Sequence, residues 1–160
     1  VIFRSLVQHD FDIKGILGCR RFEIPLLGMA HIPTDDFLSS LAEKSASMLV
    51  ASEGYQQALA EFSSSSPVAH RGTIASGDVF VSDVGQQRDL LQNIPSLLCV
   101  EMEGAAVGQV CAERRIPLAV ARIISDTADH DAHVDFPKFV HATAAVGSEY
   151  LVMDFLSRLA

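Results

Sequence analysis

The chain has 160 residues, of which 49% are hydrophobic and 20% are charged, with ten glycines and six prolines. This composition excludes disordered, collagen-like and low-complexity classes, and the length fits a single domain. Twenty acidic residues oppose twelve lysines and arginines, giving a formal net charge of −8 without a basic run. We therefore expect neither a nucleic acid nor a membrane surface as a partner.

Three cysteines are present without CxxC spacing, and the longest apolar stretches are too short to cross a bilayer. These features predict reduced thiols and a cytoplasmic location. The sequence starts at Val1 without the pattern of a signal peptide. We expect further residues upstream of this position.

The first half of the chain predicts two strands and a long helix. Residues 1–7 and 22–27 are short apolar-rich runs of the kind that forms strands. The Thr34 hydroxyl is the expected N-cap of a helix that continues to Phe62 with a possible break at Gly54. Residues 63–67 are expected to form a surface loop.

The second half alternates between strands and helices. Strands are predicted at 73–81, 97–100 and 118–124, the last being the clearest. Helices are predicted at 83–92, between Met102 and Cys111, and from about Asp135 onward. The alternation predicts one α/β domain over residues 1–160, with a mixed central sheet flanked by helices.

Two acidic clusters follow predicted strands, where ligands of α/β proteins bind. Glu101 and Glu103 lie between a strand and the next helix, and Ser125 and Asp126 follow the 118–124 strand. The two glutamates could equally serve to favour the helix dipole, and Asp126 could be a turn or helix cap. The clusters alone leave these alternatives open.

Three segments in order carry a family resemblance: GTIASGDVFV at 72–81, VEMEG at 100–104 and RIISDTAD at 122–129. They resemble the purine nucleoside phosphorylase superfamily and, within it, the 5′-methylthioadenosine/S-adenosylhomocysteine nucleosidases. QHD at 8–10 and DFPKF at 135–139 are also similar. The resemblance implies a nucleoside phosphorylase-like fold, a homodimer, and hydrolysis of an N-glycosidic bond without metal or cofactor.

The same resemblance implies a catalytic group of three residues. Asp126 would donate a proton to the purine N7, which requires a raised pKa, and Ser125 would hold Asp126 in position. Arg122 would lie near the water and the ribose. Arg122 could equally be a structural partner of Glu101.

A second implied group binds the nucleoside. Phe80 would stack on adenine, and the Val81 backbone would read the edge of the base. Glu103 would accept hydrogen bonds from the ribose hydroxyls, beside Met102 and Glu101. The wall of the 5′-substituent pocket would comprise Phe136 together with Ile13 and Ile16, which the family dimer implies could come from a second subunit, with ordinary core packing equally open for the two isoleucines.

Two further patterns could be mistaken for sites. His9 and Asp10 could suggest a catalytic dyad, but neighbouring residues in a strand face opposite sides, which favours a structural or interface role. A dense acidic and histidine stretch could suggest a metal, yet adjacent loop residues often cannot converge on one ion. We expect no metal at this stretch, which comprises Asp129, His130, Asp131, His133 and Asp135.

Two alternatives to hydrolysis remain open. A phosphorylase of the same fold would use phosphate as its nucleophile in place of water. A catalytically silent nucleoside-binding protein is the other alternative if Val1 is close to the true start of the protein. In that case the glutamate that activates water in the family, and a ribose-side serine, which would both precede Val1, would be absent.

Overall fold

A four-stranded mixed sheet forms the centre of the computed structural model, which describes residues 1–13, 15, 18–60, 62, 66–124, 139 and 143–160. The strands are β1 (Ile2–Gln8), β2 (Ile32–Pro33), β3 (Arg71–Ser76) and β4 (Leu97–Glu101). The helices are α1 (Asp36–Ala51), α2 (Glu53–Leu59), α3 (Val84–Asn93), α4 (Gly104–Arg114) and α5 (Ala145–Leu159).

The sheet order is β2-β1-β3-β4, with β1, β3 and β4 parallel and β2 antiparallel to β1. The predicted mixed sheet with flanking helices is confirmed. The register pairs Gln8 with Ser76 and Ser76 with Glu101. The carboxyl ends of the three parallel strands therefore meet at one edge, and the candidate site lies there.

Helices cover both faces of the sheet, and a bulge at Arg4 helps to sort the side chains between them. Phe3 pairs with Gly72 and Ser5 with Thr73, so Arg4 is an extra residue that remains exposed. One face packs against α4, and its buried cluster contains Phe3, Leu6, Ile24, Ile32, Ile74, Ala105 and Val120. Elsewhere Ile2 packs with α1 and α5, and Val7 packs with α3.

The N-cap of α1 is Asp35, so the assignment of that role to Thr34 was wrong. The Leu38 amide donates to Asp35 Oδ1 at 2.9 Å, while Thr34 Oγ1 donates to the Phe3 carbonyl at 2.7 Å. The carboxylate satisfies a free amide of the helix, and the hydroxyl ties the helix start to β1. The helix breaks at Ser52, two residues before the predicted Gly54.

Two of the predicted strands were wrong. An apolar run indicates that a segment is buried, but it does not show that the backbone of that segment pairs with a strand. Residues 22–27 form turns with one isolated bridge from Ile24 to Met29. Residues 118–124 make a single antiparallel bridge between Ala121 and Ile2. Because β2 pairs with β1 from Ser5 onward, the segment can pair only with the first residues of β1, and the Leu118 carbonyl accepts instead from the Asp35 amide at 2.7 Å.

The remaining boundaries differ in detail. The strand predicted at 73–81 ends at Ser76, where a turn begins. The final helix is described from Ala145, and its predicted start at Asp135 lies outside the described residues. Within the described ranges, helices long and apolar enough to span a bilayer are absent.

The close contact between α4 and β1 gives a stability test. A Cβ at Gly108 would lie 2.4 Å from Leu6 Cδ1, and Leu6 is fully buried. Gly108→Ala should therefore lower the free energy of unfolding by about 1–2 kcal/mol, because overpacking outweighs the better helix propensity of alanine. Urea unfolding measures the change.

Gly54→Ala in α2 is the matched control, since no atom lies within 4 Å of its added Cβ. It should stabilise the protein by up to about 1 kcal/mol. Equal effects of the two substitutions would contradict the packing of α4 on β1.

Candidate active site

Glu101, the last residue of β4, is the most heavily hydrogen-bonded carboxylate at the strand-end edge. Its side chain is 12% exposed and accepts from Arg122 Nη2 at 2.6 Å. The amides of Gly104 and Glu103 donate to it at 2.9 Å and 3.2 Å. The Ser76 hydroxyl donates to Oε1 as well. One carboxylate thus joins two strands, a helix and the 118–124 segment.

Ser76 extends the same network to the next residue of α4. Its Oγ accepts from the Ala105 amide at 2.7 Å while donating to Glu101. The first amides of α4 are therefore satisfied by side chains from β3 and β4, because the N-cap residue Glu103 makes no side-chain capping bond. The suggestion that Glu101 interacts with the helix start is confirmed.

The charge of Glu101 follows from these contacts. Burial alone would raise its pKa, but hydrogen bonds from Ser76, Gly104, Arg122 and Glu103 outweigh burial, so its pKa lies below its ordinary value. The carboxylate is ionised at neutral pH. It pairs with the Arg122 guanidinium, whose side chain is 35% exposed.

Arg122 therefore occupies the structural position that was one of its two expected roles. It bonds Glu101 and, through Nη1, the Ala121 carbonyl at 3.2 Å. Its proximity to a reacting water stays a prediction.

Met102 and Glu103 are the accessible residues of this corner. Met102 is 43% exposed, and Glu103 is also exposed. Because Glu101 takes over the capping of α4, the Glu103 carboxylate is left available for a ligand at the strand-end edge. Ribose binding by Glu103 remains a prediction.

The segment between β3 and α3 carries the two residues expected to bind the base. Phe80 is 51% exposed, whereas the Val81 side chain is 5% exposed and packs with Val7 and Leu90. With that side chain in the core, Val81 can offer only its backbone to a ligand. This arrangement agrees with the expected backbone contact to the base, which stays untested.

His9 and Asp10 lie beyond the end of β1, so the argument that they face opposite sides of a strand was wrong. Both side chains contact the Gly77 turn. Burial lowers the pKa of His9 although the Asp10 and Glu101 carboxylates act in the opposite direction, and its Nε2 has no hydrogen-bond partner in the described structure.

Four predicted site residues lie outside the described residues: Ile16, Ser125, Asp126 and Phe136. The stretch 129–135, where no metal was expected, also lies outside them. Ile13 is described and half-buried, and its place in a pocket wall stays a prediction. Sequence reasoning missed Ser76. It stood inside the 72–81 motif, but its importance depends on the register that places it beside Glu101.

Two cavities among the described residues lie away from Glu103 and Phe80. One of about 360 Å³ is bounded by α1, α5 and residues 119–123. Another of about 470 Å³ extends from Val1 to Phe139. Arg122 is among the residues that line both cavities.

Comparison with known proteins decides the family. The model of the phosphorylase superfamily matches residues 1–157. The chain belongs to this superfamily. The resemblance carried by the three sequence segments is thereby confirmed at the level of the superfamily.

Individual relatives narrow the comparison. The chain is 33% identical over 159 residues to the 5′-methylthioadenosine/S-adenosylhomocysteine nucleosidase of Bacillus subtilis, covering 99% of this chain and 61% of that protein. It therefore spans about three fifths of the length of this curated relative.

Solved structures agree in fold. The Neisseria meningitidis nucleosidase of the same name, in complex with methylthio-immucillin-A, has a TM-score of 0.79 and 26% identity over 97% of this chain and 59% of its own. A futalosine hydrolase mutant of Helicobacter pylori has a TM-score of 0.76 and 29% identity over 98% and 60%.

The Glu101 network gives a pH-dependent test of stability. Glu101→Gln keeps the side-chain shape but removes the negative charge to which Arg122 and Ser76 donate hydrogen bonds. At neutral pH it should lower the free energy of unfolding by about 1–3 kcal/mol. Because the folded-state pKa is depressed, the stabilisation is present above the ordinary value of 4.5 and is lost as pH falls below it.

Urea unfolding at a series of pH values measures this difference. Glu113→Gln is the control, since its exposed carboxylate bonds only Gln109 among the described residues, and it should change stability by less than about 0.5 kcal/mol. A Glu101→Gln effect that is as large at pH about 3 as at neutral pH would contradict the assignment.

Proposed function

We propose that the protein hydrolyses the N-glycosidic bond of 5′-thio-substituted adenosines, releasing adenine and the 5′-substituted ribose. The observation that carries this proposal is the pair of carboxylates two residues apart at the strand-end edge. Glu101 is held by hydrogen bonds, and Glu103 is exposed beside it. The family and the named nucleosidase relatives support the same reaction.

The proposed chemistry needs only acid–base groups and a polar ribose site. The bond between C1′ and N9 breaks with its electron pair moving to the purine, and protonated Asp126 gives its proton to N7. A water oxygen bonds to C1′ and gives up one proton, which makes up for the proton that Asp126 has donated, so that the protein regains its starting protonation state. Glu103 accepts hydrogen bonds from the ribose hydroxyls, while Ser125 orients Asp126.

The base and the 5′-substituent bind on either side of this centre. Phe80 stacks on the adenine, and the Val81 backbone meets the edge of the ring. Phe136, Ile13 and Ile16 form the wall around the 5′-substituent. The fully ionised Glu101 holds Arg122 toward the ribose side.

The 5′-substituent is methylthio, homocysteinyl or of the futalosine type, in line with the names of the relatives. We further propose a cytoplasmic homodimer that acts in methionine salvage. A phosphorylase is the second candidate, but the SDTAD continuation at 125–129 favours hydrolysis.

Asp126→Asn tests the proton donor. The variant is made in the full-length protein and assayed at a saturating concentration of methylthioadenosine. It should release adenine about 10²- to 10⁴-fold more slowly than the parent, because an amide cannot donate the proton that the base requires. Adenine release in the parent should not change with added phosphate, and the sugar product should carry a free anomeric hydroxyl.

Glu113→Gln, at the far end of α4, is the control and should retain parental turnover. Turnover of Asp126→Asn within a few-fold of the parent would remove Asp126 from the mechanism. A sugar 1-phosphate product would identify a phosphorylase. A parent protein that binds the nucleoside but releases no adenine would establish the silent binding protein.

A further inference from the structure

We propose that Asp10 is a positioning residue for the base-binding loop, defined here as residues 77–81. This inference rests on the proposed function, because the loop carries Phe80. Asp10 lies two residues after β1 and is exposed. Its carboxylate accepts a hydrogen bond from the Asp78 amide at 2.6 Å, although 68 residues separate the two in sequence.

The start of the base-binding loop is held from both neighbouring strands. On the β1 side, the His9 amide donates to the Ser76 carbonyl at 2.8 Å, and Asp10 receives the Asp78 amide. On the β4 side, the Gly77 amide donates to the Glu101 carbonyl at 3.2 Å. The backbone of 76–78 is thus fixed at three successive residues.

Gly77 shows how closely the β1 turn approaches this backbone. A Cβ on Gly77 would lie 2.7 Å from His9 Cε1 and Nε2 and 2.8 Å from Asp10 Cγ. No side chain fits between them. Asp10 is therefore in direct contact with the loop at Gly77 as well as bonded to the next amide.

The other end of the base-binding loop is anchored independently. The Val81 side chain is buried, and Asp83 caps α3 by accepting from the Gln86 amide at 3.0 Å. Val79 and Phe80 lie between these anchors, 46% and 51% exposed. The position of Phe80 is therefore fixed on its C-terminal side by the buried Val81 side chain and on its N-terminal side by the hydrogen bond between Asp10 and the Asp78 amide.

Asp10→Ala removes the acceptor and should loosen the first anchor without disturbing the core. We expect the dissociation constant for adenine and the KM for methylthioadenosine to rise about 5- to 30-fold, while kcat changes less than about threefold. Amide exchange of residues 77–79 should accelerate. The split between KM and kcat arises because Phe80 contacts the base and not the sugar carbon.

Asp10→Asn is the rescue variant, because its side-chain carbonyl can still accept the Asp78 amide. It should keep KM, adenine binding and amide exchange within about threefold of the parent. Asp36→Ala is the matched control. Its exposed carboxylate bonds Arg71 at 3.1 Å, at the opposite end of β3, and its loss should leave loop exchange and KM unchanged.

Unchanged amide exchange at 77–79 in Asp10→Ala would overturn the proposal. It would also be overturned if exchange accelerated but kcat fell as much as KM rose, or if Asp10→Asn behaved like Asp10→Ala. If the parent neither binds adenine nor releases it, the proposed function fails. The exchange measurement still decides whether Asp10 holds the loop.

Discussion

The Glu101 carboxylate is the group on which the strand-end edge depends, because a charge this buried is stable only with several partners. Those partners come from three places in the chain. Ser76 ends β3, Glu103 and Gly104 begin α4, and Arg122 belongs to the segment that bonds the start of β1. Each partner keeps its place only if the sheet register and the helix start are both formed.

This network separates two carboxylates that are nearly adjacent in sequence. The Glu101 carboxylate accepts hydrogen bonds from other groups of the protein, while Glu103 is exposed and its side chain does not cap the helix. A rigid support next to an available polar group is what precise ligand positioning requires. The base-binding loop follows the same plan, with fixed residues at its ends and Phe80 exposed between them.

Sequence patterns identified the elements whose periodicity was strong. β1 and β4 were predicted within one residue and α4 within three, because each contributes apolar side chains to the core at regular spacing. The runs at 22–27 and 118–124 are also buried in part, but hydropathy carries no information about which backbone is free to pair. For 118–124, β2 already pairs with β1 from Ser5 onward, and only the first residues of β1 are left for pairing.

The site could be predicted in outline and not in its contacts. The motif segments pointed to Glu101, Glu103 and Phe80, and two of the alternatives included the Glu101 contacts with Arg122 and with the helix start that the structure shows. The roles of Ser76 and Asp10 could not be obtained in this way. Both depend on the register of parallel strands and on which residue ends each strand, and these are properties of the folded sheet.

A crystal structure of the protein with adenine tests the central claim most directly, namely that the edge organised by Glu101 is the nucleoside site. We expect the purine to lie against Phe80 with its edge at the Val81 backbone, and Glu101 to remain bonded to Arg122. Adenine bound in the apolar cavity between α1 and α5, with the strand-end edge empty, would contradict the account.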